Sequence, residues 1–351
     1  MSATEMSAAR LYKAGEPLIV ETVPASAPEP DEILVEVAAC GLCGTDIHLA
    51  VDGDIPVSRT PITLGHEAAG VIAALGDSVT EFALGQRVAL FPSAICGECR
   101  FCRAGRESLC EASQVYGMSR DGALARYVTA PAFGAIPIPD EVPFAQAAII
   151  TDGVATPFHA LRTRGALKAG EAVAVVGCGG LGAHAVLLAR MMGAGFIAAV
   201  DMQPEARARA IEFGADIAID PAAEPNAGKF IRRRLGRGVD LALEFVGRAE
   251  TVEAAIRTLD TGGRAVIVGV GPARPSLPPL VSFVGREYSV IGSFGMDKRD
   301  IEDLMALVAR GRLDLSRSVT QTYPLKDINE ALARLASKEA GVVRLVVEPG
   351  R

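Results

Sequence analysis

The chain has 351 residues, half of them hydrophobic, with 37 Gly, no Trp and a formal charge of 35 − 42 = −7. That length suggests two domains at roughly 150 residues each, and a chain of this size buries a substantial core. A mildly acidic chain without a long basic run is a poor match to nucleic acid or an anionic membrane, and no run of about 18 apolar residues is present to span a bilayer.

The first residues carry Glu5, Arg10, Lys13 and Glu16 and lack the apolar stretch of an export signal. The count of seven Cys is odd, and four of them cluster between Cys96 and Cys110. In a chain read as cytoplasmic, that pattern points to metal binding rather than disulfides.

Residues 1–153 read as short strands broken by Gly and Pro, among them Ile33–Ala39, Ala68–Leu75 and Gln86–Phe91, which predicts a mostly antiparallel, barrel-like domain. Over 154–296 the rhythm changes to strand–helix alternation. Strands are expected at Ala172–Val176, Phe196–Val200, Ile217–Ile219, Asp240–Phe245, Arg264–Val268 and Ser289–Ile291, with helices such as Leu181–Met192 and Pro204–Phe213 between them. Six short apolar strands alternating with helices predict a doubly wound parallel sheet. Residues 297–351 carry helices near Asp300–Arg310 and Asp327–Leu335 and a strand at Val342–Glu348, and are expected to return to the first domain.

Strand Ala172–Val176 runs into Gly177-Cys178-Gly179-Gly180-Leu181-Gly182 and then a helix. In this context G-x-G-x-x-G is a dinucleotide fingerprint. Gly177 permits the tight turn, Gly179 lets the backbone approach a pyrophosphate, and Gly182 lets the helix pack on the strand. The pyrophosphate is expected against the helix N-terminus, where free N–H groups favour an anion. Asp201 follows Gly182 by 19 residues, at the end of the next strand. Its carboxylate suits a ribose diol and repels a 2′-phosphate, so NAD is expected over NADP. Arg207 and Arg209, beyond it on a helix, are read as solvated.

Cys96, Cys99, Cys102 and Cys110 are spaced C-x2-C-x2-C-x7-C. Four thiolates in a Gly-containing loop fit a closed, structural tetrahedral zinc, with an iron–sulfur cluster as the alternative. Arg100, Arg103 and Arg106 fit the negative charge of such a centre. A zinc ribbon that grips nucleic acid is set aside by the acidic charge and the want of a basic, aromatic-studded face.

Three further segments carry thiolate, imidazole or carboxylate: Cys43-Gly44-Thr45-Asp46-Ile47-His48, Gly65-His66-Glu67 and Thr151-Asp152-Gly153. Each alone is a weak signal. Together with the four-cysteine loop, the Gly177 fingerprint and Val268-Gly269-Val270, they make the chain resemble the zinc-dependent medium-chain alcohol dehydrogenases from about residue 10 to its end.

The resemblance implies a GroES-like β-rich catalytic domain with both zinc sites (1–153), a Rossmann NAD-binding domain (154–296) and a return to the catalytic domain (297–351). It implies two Zn2+ per chain and NAD. Cys43, His66 and Asp152 look like ligands of the catalytic zinc, Asp152 departing from the Cys2His set known for alcohol dehydrogenase. Glu67 looks like the nearby carboxylate that sits beside the metal or exchanges onto it. Asp46 looks like the residue that orients the ligand His. Thr45, the cofactor ribose and His48 look like a proton relay.

Thr156, Val246, Val268 and Val270 resemble residues that line the nicotinamide or adenine, and Arg344 resembles a late Arg that pairs with pyrophosphate. Ala206 stands where the family often has Lys. Tyr116 and Phe294 are candidates for the substrate pocket, whereas Cys40, Cys178, His159 and His184 read as structural. The implied reaction is reversible oxidation of primary or secondary alcohols to aldehydes or ketones by hydride transfer to NAD, with a polyol (sorbitol-like) or threonine dehydrogenase as the alternative. The implied partner is a small alcohol or carbonyl substrate, with no nucleic acid and no membrane, in a cytoplasmic homodimer or homotetramer.

Overall fold

A computed structural model describes residues 5–337, 339 and 341–351. Chain contacts divide it into two units, Met1–Ala155 with Met296–Arg351, and Thr156–Gly295. Among the described residues no helix is long and apolar enough to cross a membrane.

The first unit holds strands β1 (Glu5–Leu11), β2 (Ile19–Pro24), β3 (Glu32–Leu42), β4 (Ile62–Thr63), β5 (Glu67–Leu75), β6 (Arg87–Leu90), β7 (Ser93–Ala94), β8 (Gln114–Val115), β9 (Tyr127–Pro131) and β10 (Ala135–Pro137). The second holds β11 (Ala172–Val176), β12 (Phe196–Val200), β13 (Ile217–Ile219), β14 (Val239–Glu244), β15 (Leu259–Ile267) and β16 (Ser289–Gly292). Two more, β17 (Val319–Pro324) and β18 (Arg344–Glu348), rejoin the first unit.

In that unit the main sheet runs β10-β6-β5-β3-β18-β17, with β9 also on β3. Its pairs are antiparallel except β17 with β18. Strand β3 is the spine: Val35, Val37 and Ala39 alternate inward with half-buried Glu36 and Ala38, then Cys40 to Cys43 are all buried. Burying that run is what fixes its register against β5, where Gly41 faces Glu67. The expected strand at Val342–Glu348 begins only at Arg344. Strand β17 was not expected, since Val319-Thr-Gln-Thr-Tyr-Pro is largely polar and only Tyr323 in it is fully buried.

The second unit is a six-stranded parallel sheet in the order β13-β12-β11-β14-β15-β16. This is the doubly wound order, with a crevice at the carboxyl ends of β11 and β14 where the winding reverses. Strand β11 is buried at all five positions, because helices cover both faces. The helix after it spans Gly180–Met191, one residue earlier than expected, with Gly179 as its cap. Pro204 opens the next helix, Pro204–Glu212, and Gly214, at φ +110°, turns the chain out of it.

Candidate active site

Cys43 follows β3 and caps the short helix Gly44–Ile47. Its sulfur accepts from the Thr45 N–H at 3.2 Å, and its own N–H donates to the Asp46 carboxylate at 3.0 Å. This reciprocal cap aims the thiol and buries Asp46 completely. His66 is placed by Gly65, whose φ of +94° and close approach to Cys40 Sγ and Leu124 leave no room for a side chain. Glu67 opens β5, and a Cβ at Gly41 opposite would collide with its carboxylate. Asp152 sits in a wide helical turn, Ile150–Val154, which no sequence period announces.

These segments converge. Cys43 Sγ lies 3.1 Å from His66 Nε2, which lies 3.5 Å from Asp152 Oδ2. Ligand atoms of Cys43, His66, Glu67 and Asp152 all fall within 4.8 Å of one another. Around a tetrahedral zinc with bonds of about 2.0–2.3 Å, neighbouring donors stand roughly 3.5 Å apart. The donor set therefore fits a zinc ion in spacing and in chemistry.

The electrostatics agree. Burial pushes the Cys43 thiol and the Asp46 carboxyl up, and pushes Glu67 up to about 7 while Arg344 pulls it back. Burial alone would lower His66, yet Cys43, Asp152 and Asp46 together hold its imidazole well above the ordinary range. Among the described residues, His66 Nδ1, Asp46 Oδ1 and Glu67 Oε2 are buried without a hydrogen-bond partner. Asp46 Oδ1 stands 3.9 Å from His66 Nδ1, on the side expected of an orienting carboxylate but beyond a hydrogen bond.

Arg344 departs from its expected role in what it touches. It is 2% exposed and gives its guanidinium to the buried Glu67 carboxylate, with Gly153 passing so close that a Cβ there would press on the guanidinium carbon. Thr45 is half-buried beside Cys43, and His48, half-exposed, turns its Nδ1 to Asp54 at 3.0 Å and to Asp52 at 3.4 Å. Neither Asp was singled out in the sequence, although both follow His48 within six residues.

The four sulfurs of Cys96, Cys99, Cys102 and Cys110 also lie within 4.8 Å of one another. Pairs at 3.6 Å and 4.0 Å bracket the roughly 3.8 Å expected around a tetrathiolate zinc. Backbone N–H groups of Cys96, Cys99 and Cys102 point at sulfurs, and those of Cys102 and Glu111 draw the Cys99 thiol down to about 6. Arg100, expected to answer the charge of the sulfurs, is instead paired with Glu111 and stacked on Phe101. Tyr116 is buried in the β-rich core, where burial pushes its hydroxyl well up.

In the second unit, Gly177 has φ +86°, and a Cβ there would press on Val246. Gly179 faces open space, and a Cβ on Gly182 would collide with the Gly177 carbonyl, so the turn at Gly177 and the close helix packing at Gly182 are both present. Gly180 and Leu181, half-buried, open the helix. Asp201 accepts from Cys178 N at 2.7 Å and Gln203 N at 2.8 Å, which fixes its carboxylate at the crevice. Arg207 is held by Asp220 and by carbonyls of Asp201 and Met202, and Arg209 donates to the Cys178 carbonyl. Val246, Val270 and Phe294 are exposed, Val268 is half-buried and Thr156 is buried.

Sequence reasoning missed Glu244, which ends β14 fully buried. One carboxylate oxygen accepts from Val246 N, Gly247 N and the Thr251 hydroxyl at 2.7–2.9 Å and so sets the loop that carries Val246. A carboxylate at the end of a strand beside the winding reversal was the available signal.

Two family models match the chain: the alcohol dehydrogenase GroES-like domain over residues 29–140 and the zinc-binding dehydrogenase domain over 180–310. An alcohol dehydrogenase of Geobacillus stearothermophilus is 35% identical over 332 residues, covering 94% of this chain and 96% of that one. A sorbitol dehydrogenase of Bacillus subtilis is 32% identical over 350 residues, covering 99% and 98%. Among solved structures, a zinc-binding dehydrogenase from Sinorhizobium meliloti 1021 bound to NADP is similar at a TM-score of 0.88 and 34% identity, covering 99% of this chain and all 100% of the other. With its GroES-like domain and its doubly wound parallel sheet, this chain belongs to the zinc-dependent medium-chain dehydrogenase family of oxidoreductases.

Proposed function

We propose that this protein oxidises primary or secondary alcohols reversibly to aldehydes or ketones, with NAD as the hydride acceptor. The observation that carries the proposal is the convergence of Cys43, His66, Glu67 and Asp152 within 4.8 Å, from segments far apart in sequence. Cys43, His66 and Asp152 would hold a catalytic Zn2+, leaving a position for the substrate oxygen, and Cys96, Cys99, Cys102 and Cys110 a structural one. The catalytic ion, when bound, supplies a Lewis acid that eases loss of the alcohol proton near neutral pH.

The chain's own groups do the rest. Asp46 locks the Cys43 backbone and so the direction of the thiol. Arg344 holds the Glu67 carboxylate beside the other donors. The Thr45 hydroxyl and His48 take the proton toward solvent, an imidazole having one nitrogen to accept and one to donate. Gly177, Gly179, Gly180, Leu181 and Gly182 would cradle the pyrophosphate; Thr156, Val246, Val268 and Val270 would flank the rings. The fixed Asp201 carboxylate supports NAD over NADP, because it meets a 2′-phosphate with like charge.

A polyol substrate is the second reading, favoured by the similarity to sorbitol dehydrogenase along nearly the whole of both chains. A homodimer or homotetramer is supported by the unpaired edge of β16 and by Leu277, Leu280, Val281 and Val284, all more than half exposed beside it in sequence. Seven free thiols fit a cytoplasmic protein.

Turnover of a panel of simple alcohols, sorbitol and threonine with NAD and with NADP tests the proposal. NADH should form with an alcohol or polyol, and Cys43→Ser should abolish turnover while NADH still binds. No reduced cofactor with any of them, or full turnover by Cys43→Ser, would refute it.

A further inference from the structure

The turn after the Cys43 helix brings two carboxylates onto one imidazole. His48–Asp52 forms a wide π turn, and Gly53 then reverses the chain at φ +67°. A Cβ at Gly53 would meet Ala14 Cβ at 2.8 Å, and the Ala50 carbonyl accepts from Gly15 N at 2.8 Å, so a neighbouring turn clamps this one. The reversal lays both oxygens of Asp54 on His48 Nδ1, at 3.0 and 3.2 Å. Asp52 reaches the same nitrogen at 3.4 Å.

Most other charged groups around the turn are engaged elsewhere. Asp46, on the preceding helix, is held by Cys43 N. Lys13 and Glu16 pair with each other at 2.7 Å. On the helix Ile328–Ala336, which packs on the Cys43 helix, Arg334 is taken by Glu339 and Tyr323, and Glu330 is exposed.

We propose that Asp54 is a positioning residue for proton release: it holds the Nδ1–H of His48, leaves Nε2 as the acceptor, and stabilises the imidazolium once formed. The proposal rests on His48 being the proton exit. A neutral imidazole carries one N–H, and the partner of one nitrogen decides the role of the other. With Nδ1–H donated to Asp54, a proton from the alcohol O–H forms a bond at Nε2. The resulting imidazolium gives one proton to water through its half-exposed ring, and Asp54 returns the ring to the Nδ1–H form. One proton leaves per hydride transferred, so charge balances.

Nitrogen-15 NMR of the histidine rings across a pH series, on the zinc-loaded protein with His48→Gln to assign the signal, tests this directly. The neutral His48 ring should be protonated at Nδ1. Asp54→Asn should move it toward Nε2–H. kcat for alcohol oxidation should fall, with KM for the alcohol unchanged. In a His48→Gln background, Asp54→Asn should leave kcat as it was. Equal loss of kcat with and without His48, or an unshifted ring signal, overturns the role of Asp54 while leaving the relay standing. An unchanged kcat in His48→Gln overturns the relay and this proposal with it.

Discussion

Arg344→Met should show how far the buried pair holds the first unit together. Glu67 is 0% and Arg344 2% exposed, so water cannot take the place of either partner. They lie 277 residues apart in sequence and tie the start of β18 to the start of β5. Removing the guanidinium strands a carboxylate in a site already crowded by Asp46 and Asp152. Loss of one member of a buried pair costs about 3–5 kcal/mol, whereas replacing both by apolar groups of similar volume is often neutral.

The size of the loss depends on pH with a definite sign. Burial already raises Glu67 to about 7, and Arg344 is the largest group opposing that rise. Without Arg344 the folded carboxyl titrates higher still. An acid whose folded pKa is raised binds its proton more tightly in the folded state, so stability is retained below the unfolded value near 4.3 and lost as pH rises through the folded one. The mutant should lose less at about pH 6 than at about pH 8. Urea unfolding of the zinc-free protein, as Arg344→Met, Glu67→Leu and the double variant, measures this. The double should be destabilised by well under the sum of the singles. A single loss below about 1 kcal/mol, the level of an exposed ion pair, or strict additivity would refute the reasoning.

Gly182→Ala should weaken NADH binding in a fluorescence titration and destabilise by about 1–3 kcal/mol, because its Cβ collides with the Gly177 carbonyl; an ordinary Gly→Ala change inside a helix stabilises by about 0.5–1 kcal/mol, and that outcome would count against the packing role. Cys99→Ser should lower the zinc content by elemental analysis from about two ions per chain to about one, and lower the melting temperature; an unchanged count would mean the four-cysteine loop holds no zinc. Zinc binding to the metal-free centre should release protons, at least about one more in the wild type than in Cys43→Ser near pH 7, since burial keeps the Cys43 thiol protonated and Glu67 partly so. Calorimetry in buffers of different ionisation enthalpy counts them, and equal release by the two proteins would contradict the thiol as a donor.

What could be read from the chain alone divides by the range of the interactions involved. The central parallel strands β11 and β12 were legible because burial on both faces makes each a short apolar run, and β11, β12 and β13 lie at the residues expected. The fingerprint glycines were legible because each answers a local constraint of turn or packing. Strand β17 was not, since its stability comes from pairing with β18 and its own residues are polar. Glu244 was hidden for a related reason: its ligands are backbone N–H groups, which no residue type advertises. Arg344 was seen as a cation near the end of the chain, but its partner Glu67 is set by sheet order and no spacing in the sequence joins them.

The charge of the buried centre argues for a cation independently of any likeness. Cys43 as thiolate, with ionised Asp46, Glu67 and Asp152, makes four negative groups facing Arg344 and one imidazole, all but Asp152 being buried. A protein cannot leave such an excess out of water uncompensated. Two responses are open. Protons can neutralise the groups, which is the direction in which Cys43, Asp46 and Glu67 are all pushed. Otherwise a divalent ion can sit among them. The upward push on Cys43 and Glu67 and the orphaned Glu67 oxygen both follow from packing these groups together out of water. Arg344 matters in that account because it offsets one negative charge without occupying the space between the donors: its contact is with Glu67, while Cys43, His66 and Asp152 remain turned toward one another.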